Sequence, residues 1–223
     1  AVLVFFRKDL IDLISSWLLT LRPNAKVSAE QKDNSRLAWF IIIATIPAGL
    51  AGLTFGDFIE SNLRSVAVVA WTTLIFGVFL YIADRKSFGQ HAADVKNLTQ
   101  MTLAMVLVIG ACQALALIPG TSRSGVTITA ALMLGIGRVD AARFSFLLSI
   151  PIIVLTGGYK ALELLNESSV IWTELMIGTV LSALSAYTCI HYFLAYINRI
   201  GMLPFVIYRM ALGLLLIWIA YLA

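Results

Sequence analysis

Residues 116–129 read ALIPGTSRSGVTIT. Long apolar runs flank this stretch, yet it holds a Pro119-Gly120 break, the hydroxyl residues Thr121, Ser122, Ser124 and Thr127, a second glycine at Gly125, and Arg123. No Asp or Glu occurs between Asp94 and Asp140, so Arg123 has no acidic neighbour in sequence. The apolar run Met101–Ile118 stops at the Pro-Gly break, and the run Val126–Ile136 is too short for the ~20 residues that cross a bilayer as helix. Two half-length helices joined by a polar turn predict a re-entrant hairpin over about residues 98–137, not two spans.

Composition sets the same frame. The chain has 223 residues, 60% hydrophobic and 13% charged, with a mean hydropathy of +0.92. Soluble domains carry about a quarter charged residues, so an all-α integral membrane protein is expected: a polytopic helix bundle forming one membrane domain over residues 1–223. The predicted spans are Leu37–Phe55, Val66–Ala83, Ala141–Ala161, Ile171–Ile197 and Leu203–Leu222, with Pro47 and Pro151 as tolerated kinks. Asp9–Leu21 places Leu10, Ile14, Trp17 and Leu21 at helical spacing between polar residues, which reads as an amphipathic interfacial helix. Ala1–Phe6 resemble the last turns of a membrane helix, so an amino-terminally incomplete chain is expected.

Charge counting supports the hairpin. If it enters and leaves on one side, one face carries Arg7, Lys8, Arg22, Lys26, Lys32, Arg36, Arg85, Lys86, Lys96, Arg138, Arg143 and Arg199, and the other only Arg64 and Lys160. The positive-inside rule makes the crowded face cytoplasmic and places both chain ends outside. The net charge of +4 thus reflects membrane topology, and no nucleic-acid surface is expected. Cys112 and Cys189 lie in apolar segments without metal or redox spacing and read as small packing residues. His91 and His191 read as structural.

An arginine at membrane depth costs a few kcal/mol unless paired. Gly120 and Gly125 allow a tight turn, Ser122, Ser124 and Thr127 offer hydroxyl donors, and a helix beginning at Ser124 or Gly125 would aim its amide end at the same spot. Arg123 adds a planar fork suited to phosphate oxygens. These residues read either as a phosphate cradle or as a Pro-Gly hinge with Ser and Thr bonding back to helix carbonyls and Arg123 snorkelling to the interface. A P-loop is excluded, since Val126 stands where the lysine belongs. A phospho-histidine mechanism of the lipid-phosphatase type is excluded too, since Thr129 and Met133 occupy its His and Asp positions. Arg209, in the last span, reads equally as a second phosphate contact or as the partner of Glu174 or another acid.

CQALALIPGTSRSGVTITAALMLGIGR, followed by AARFSFLLSIP and LPFVIYRMALG, resembles the undecaprenyl pyrophosphate phosphatase, or bacitracin-resistance, family along essentially the whole chain. The resemblance implies a bacterial inner-membrane enzyme that removes the terminal phosphate of undecaprenyl pyrophosphate, recycling the lipid carrier of cell-wall synthesis. It implies an inverted repeat in which two opposed hairpins meet near mid-membrane, and an active site opening to the periplasm. It places Gly120, Thr121, Ser122, Arg123, Ser124, Gly125 and Thr127 on the substrate, with Arg123 and Ser124 the catalytic candidates. It also implies a divalent cation, Mg²⁺ or Ca²⁺, and allows a homodimer. The family's glutamate-rich motif ending in Ser-Ser-Thr-Gly-His is absent from these residues, so nucleophile, metal ligands and catalytic His cannot be named, and this chain alone is expected to lack part of the active site. A transporter or flippase for an anionic polyprenyl lipid is the alternative that paired half-helices also fit.

Overall fold

The computed structural model describes residues 1–22, 26–89, 95–165 and 172–221; the side chain of Leu165 and His91 from the sequence reading lie outside that description. The helices are α1 (Val2–Phe5), α2 (Arg7–Thr20), α3 (Ala29–Asn62), α4 (Val66–Phe88), α5 (Leu103–Ala114), α6 (Arg123–Met133), α7 (Arg138–Leu165), α8 (Trp172–Ile200) and α9 (Leu203–Tyr221). Five of them, α3, α4 and α7–α9, are long and apolar enough to cross a membrane. They coincide with the expected spans but extend past most of their limits, because caps rather than hydropathy fix helix ends. Ser28 accepts from the Gln31 amide while the Gln31 side chain accepts from the Ser28 amide, starting α3 two turns before its apolar run. Ser65 caps α4 by accepting from the Val68 amide at 3.3 Å.

The amphipathic segment forms α2, which packs along the start of α3. Thr20 and Ser35 share a hydrogen bond of 2.6 Å, and the Trp17 and Trp39 rings meet edge to face at 5.7 Å. Residues 2–5 form one short turn of helix that bends at Phe6 into α2.

The segment between α4 and α7 folds as two short helices side by side. α5 has 12 residues and α6 has 11, so each is ~16–18 Å long at 1.5 Å per residue, about half of a ~30 Å hydrocarbon layer. The outer ends are tied together: the Lys96 amide donates to the Gly135 carbonyl at 2.9 Å, and the Gly137 amide donates to the Lys96 carbonyl at 3.0 Å. Chain entry and exit therefore lie at the same end of the bundle, while the 118–122 turn forms the tip. α5 lies almost in contact with α3, since a Cβ added at Gly110 would sit 2.7 Å from the Ala44 carbonyl oxygen. Small residues that let backbones approach are the usual way helices pack in lipid. The buried Gln113 amide donates to that same carbonyl at 3.4 Å, one turn before Pro47.

Charged groups pair at the two ends. At the hairpin's open end, Arg143 pairs with Asp9 and Arg36 donates to the Thr99 carbonyl. Arg138 Nε meets Asp84 Oδ1 at 2.6 Å, with Asp84 buried and Arg138 largely so. The other Asp84 oxygen accepts from the Met202 amide at 3.1 Å, and the Arg138 guanidinium covers the Phe88 ring at 3.6 Å. One carboxylate thereby joins the end of α4, the start of α7 and the α8–α9 turn. At the opposite end, the exposed pairs are local: Glu60 of α3 with Arg64 just beyond it, and Lys160 with Glu163 within α7.

A buried pair broken on one side leaves an uncompensated charge, typically costing several kcal/mol. Asp84→Asn is expected to destabilise the fold by about 3–5 kcal/mol, read by thermal unfolding in detergent, and Asp84→Asn with Arg138→Met to recover part of the loss. Glu60→Gln, at an exposed pair, is expected to leave the midpoint unchanged.

Candidate phosphate-binding site at the hairpin tip

The tip is built from carbonyls turned inward and donors turned outward. Gly120 has φ +90°, and a Cβ there would lie 2.2 Å from Thr72 Oγ1 and 2.4 Å from the Val69 carbonyl oxygen, so this position requires glycine. The Pro119 carbonyl accepts from Thr72 Oγ1 at 2.6 Å. The Gly120 carbonyl accepts from Arg209 Nη2 at 2.9 Å, and Thr73 Oγ1 stands 3.2 Å from it. Thr73 stands eleven residues before Asp84 in α4, so the tip lies ~16 Å beyond the Asp84 knot, near the middle of a ~30 Å layer.

Ser122 follows with φ 66°, ψ 114°, and among the described residues it is the one non-glycine position with positive φ. Its hydroxyl accepts from the Gly125 amide at 3.3 Å and caps α6. The helix thus begins at Arg123, one or two residues earlier than the sequence reading, because Ser122 and not a later residue acts as cap. The Arg123 and Ser124 amides have no intrahelical acceptor, and the positive end of the α6 dipole lies at the same place.

Some of the sequence-derived site residues line a cavity and others, Arg123 among them, do not. Ser122 and Ser124 are exposed and, with Gly125 and Arg209, line one wall of a cavity of about 770 Å³ whose other walls are mostly apolar residues of α7, α8 and α9. Arg123 is half-buried at the first position of α6, and no carboxylate among the described residues lies within ion-pair distance of it. Thr121 and Thr127 stand behind the turn. Thr121 is fully buried and donates to the Ile118 carbonyl at 2.8 Å. Thr127 is 1% exposed, with its hydroxyl on the Arg123 carbonyl at 3.0 Å and on Ser145 Oγ at 2.6 Å. These two threonines brace the cradle from inside, while the serines face outward.

Arg209 pairs with no acid among the described residues. Its guanidinium bridges the Thr73 carbonyl (3.2 Å) and the Gly120 carbonyl, joining α9 to α4 and to the tip. Its Nε is buried without an acceptor, and Nη1 faces Gly125, 3.7 Å from where a Cβ there would stand. His191 lies on the outer side of α8, edge-on to Phe5 and Tyr192. Cys112 and Cys189 are unpaired thiols on α5 and α8.

The donor set is cationic and neutral. Among the described residues no group of three or more His, Cys, Asp or Glu could hold a metal, and hard divalent cations need oxygen ligands, mostly carboxylates. The described residues therefore supply no ligand set for the divalent cation that the resemblance implies. Two guanidinium groups, two outward hydroxyls and an open helix start suit an anion bearing several oxygens.

The profile of the family described as bacitracin resistance protein BacA matches residues 1–215. The chain belongs to this family. It is 58% identical over 223 residues to an undecaprenyl-diphosphatase of Saccharophagus degradans, covering 99% of this chain and 80% of that protein. It is 57% identical to an undecaprenyl-diphosphatase of Teredinibacter turnerae, covering 97% of this chain and 78% of the relative. A third relative of that name, from Hahella chejuensis, is 50% identical over 221 residues. Family membership and the five apolar helices make the chain a multi-pass membrane protein.

The positive φ at Ser122 costs on the order of 1 kcal/mol, whereas glycine replaces a serine cap at a cost of only a few tenths. Ser122→Gly is therefore expected to raise stability by about 1 kcal/mol, seen as a higher unfolding midpoint, while removing an outward hydroxyl from the site.

Proposed function

We propose that this chain takes part in hydrolysing undecaprenyl pyrophosphate to undecaprenyl phosphate and inorganic phosphate, recycling the lipid carrier used in cell-wall synthesis and conferring bacitracin resistance. The observation that carries this reading is Arg123: a guanidinium at the start of a half-length helix, near mid-depth, with no carboxylate partner among the described residues. Its relatives of 50–58% identity bear the name undecaprenyl-diphosphatase. In that reading Arg123 holds the diphosphate and, with Ser122, Ser124 and the first amides of α6, binds the negative charge that grows on the phosphoryl oxygens as the anhydride bond breaks. The Ser122 cap and the first amides of α6 are held in place by the helix itself, so these donors need little reorganisation. Arg209 holds the tip carbonyl and adds positive potential beside Gly125.

The orientation follows from charge. With the crowded end in the cytoplasm of a bacterial inner membrane, the hairpin is re-entrant from that side and its tip points toward the outer leaflet. A lipid whose tail lies among the apolar helices would then present its head group to the tip from the periplasmic half.

Removing one donor to a developing oxyanion commonly costs 10²–10³ in rate. Arg123→Ala in the full-length protein is expected to lower phosphate release from undecaprenyl pyrophosphate by about that factor, and Arg123→Lys to recover little, since a point charge does not reproduce the fork. Unchanged release by Arg123→Ala would remove it from the mechanism. Movement of the lipid across vesicles without phosphate release would favour transport instead.

A further inference from the structure

Two adjacent threonines, Thr72 and Thr73, interrupt the apolar run of α4. Threonine in a membrane helix ordinarily bonds its hydroxyl to a carbonyl of the preceding turn, and Thr73 does so, donating to the Val69 carbonyl at 2.6 Å, closer than the Gly120 oxygen at 3.2 Å. Thr72 differs. A hydroxyl has one proton to donate, and the nearest acceptor of Thr72 is not in its own helix. The Val68 and Val69 oxygens lie at 2.8 Å and 3.1 Å, while the Pro119 oxygen across the helix boundary lies at 2.6 Å. Among the described residues no other donor reaches the Pro119 carbonyl, whereas the next carbonyl, Gly120, is held by Arg209.

Three residues beyond Pro119 the chain adopts the positive φ of Ser122. Such a conformation in a non-glycine residue persists only where its surroundings impose it. On the downstream side, Thr127 and Ser145 pin α6 to α7. On the upstream side, the pins are the Thr72 bond and the Arg209 clamp. The contact is direct, since the Cβ that Gly120 lacks would fall 2.2 Å from Thr72 Oγ1.

We propose that Thr72 is a positioning residue for the reaction: by donating to the Pro119 carbonyl it sets the turn from which Ser122, Arg123 and Ser124 present their donors. It touches no substrate and acts through the turn. The consequence for chemistry rests on the phosphatase reading; the structural part does not. Loss of the hydroxyl lets the turn relax, moves the donors off the transition-state oxygens, and lowers kcat more than it raises KM.

The test compares Thr72→Val, Thr73→Val and Thr72→Ser in the full-length protein, each checked for an unchanged unfolding midpoint. The first measurement is deuterium exchange at the amides of residues 118–126 without substrate, which does not depend on turnover. Exchange there is expected to quicken in Thr72→Val and to stay near wild type in Thr73→Val and Thr72→Ser. The second is phosphate release, where Thr72→Val is expected to lower kcat about tenfold with KM within about twofold, Thr73→Val to lower kcat less than about threefold, and Thr72→Ser to restore the wild-type rate. Unchanged exchange in Thr72→Val overturns the proposal, as does quickened exchange with unchanged kcat, or a Thr73→Val loss equal to that of Thr72→Val. A wild-type protein that releases no phosphate counts against the phosphatase reading, while the exchange result still decides whether Thr72 pins the turn.

Discussion

A guanidinium cannot rest unpaired in hydrocarbon. It needs a carboxylate, backbone carbonyls, water or an anionic guest, and each choice leaves a different structural record. This protein carries two arginines near the middle of its bundle, and they resolve the constraint differently. Arg209 donates through Nη2 to carbonyls of α4 and of the hairpin tip, so part of its hydrogen-bonding capacity holds the architecture together. Arg123 has no such partner among the described residues and stands where a helix begins. The hairpin, its glycine turn and its strained serine are the means by which a half-helix start and that arginine are brought to one depth.

The rest of the bundle keeps other charges away from this place. Arg138, Arg143 and Arg36 bind Asp84, Asp9 and a backbone carbonyl at the open end of the hairpin. The pairs of Arg64 and Lys160 lie at the far end. Between them the helices meet through small residues such as Ala44, Gly110 and Gly77, so the polar groups at mid-depth converge on the tip. That convergence gives a membrane-embedded site its chemical character: several donors at one place, in surroundings where each interaction is stronger than in water.

Much of this was legible in the sequence. Span length and hydropathy give the long helices, and the Asp9–Leu21 pattern gives α2, because burial in lipid or at its surface dictates composition over many residues. The hairpin was legible from two apolar runs too short to span and a Pro-Gly break between them. Helix limits were less so, since α3 starts at the Ser28–Gln31 capping box and α6 at Ser122, each decided by one hydroxyl. The direction of the threonine side chains was not legible: Thr121 and Thr127 share the polar stretch with Ser122 and Ser124 but face inward, Thr121 through its bond to the Ile118 carbonyl and Thr127 through helical phase and the Ser145 contact. The role of Arg209 required knowing which carbonyls the tip exposes to α9. Thr72 carried a signal, a threonine pair inside an apolar span, but its partner lies 47 residues away in the chain.

The central claim is that the tip is reachable from water and binds a diphosphate through Arg123. The most direct measurement is labelling of Ser124→Cys by a membrane-impermeant thiol reagent, in full-length protein with Cys112 and Cys189 replaced by alanine, with and without inorganic pyrophosphate. Labelling that pyrophosphate suppresses, and that Arg123→Ala renders insensitive to pyrophosphate, is the expected result. A cysteine there that never reacts, or one that reacts equally whether or not pyrophosphate and Arg123 are present, would contradict it.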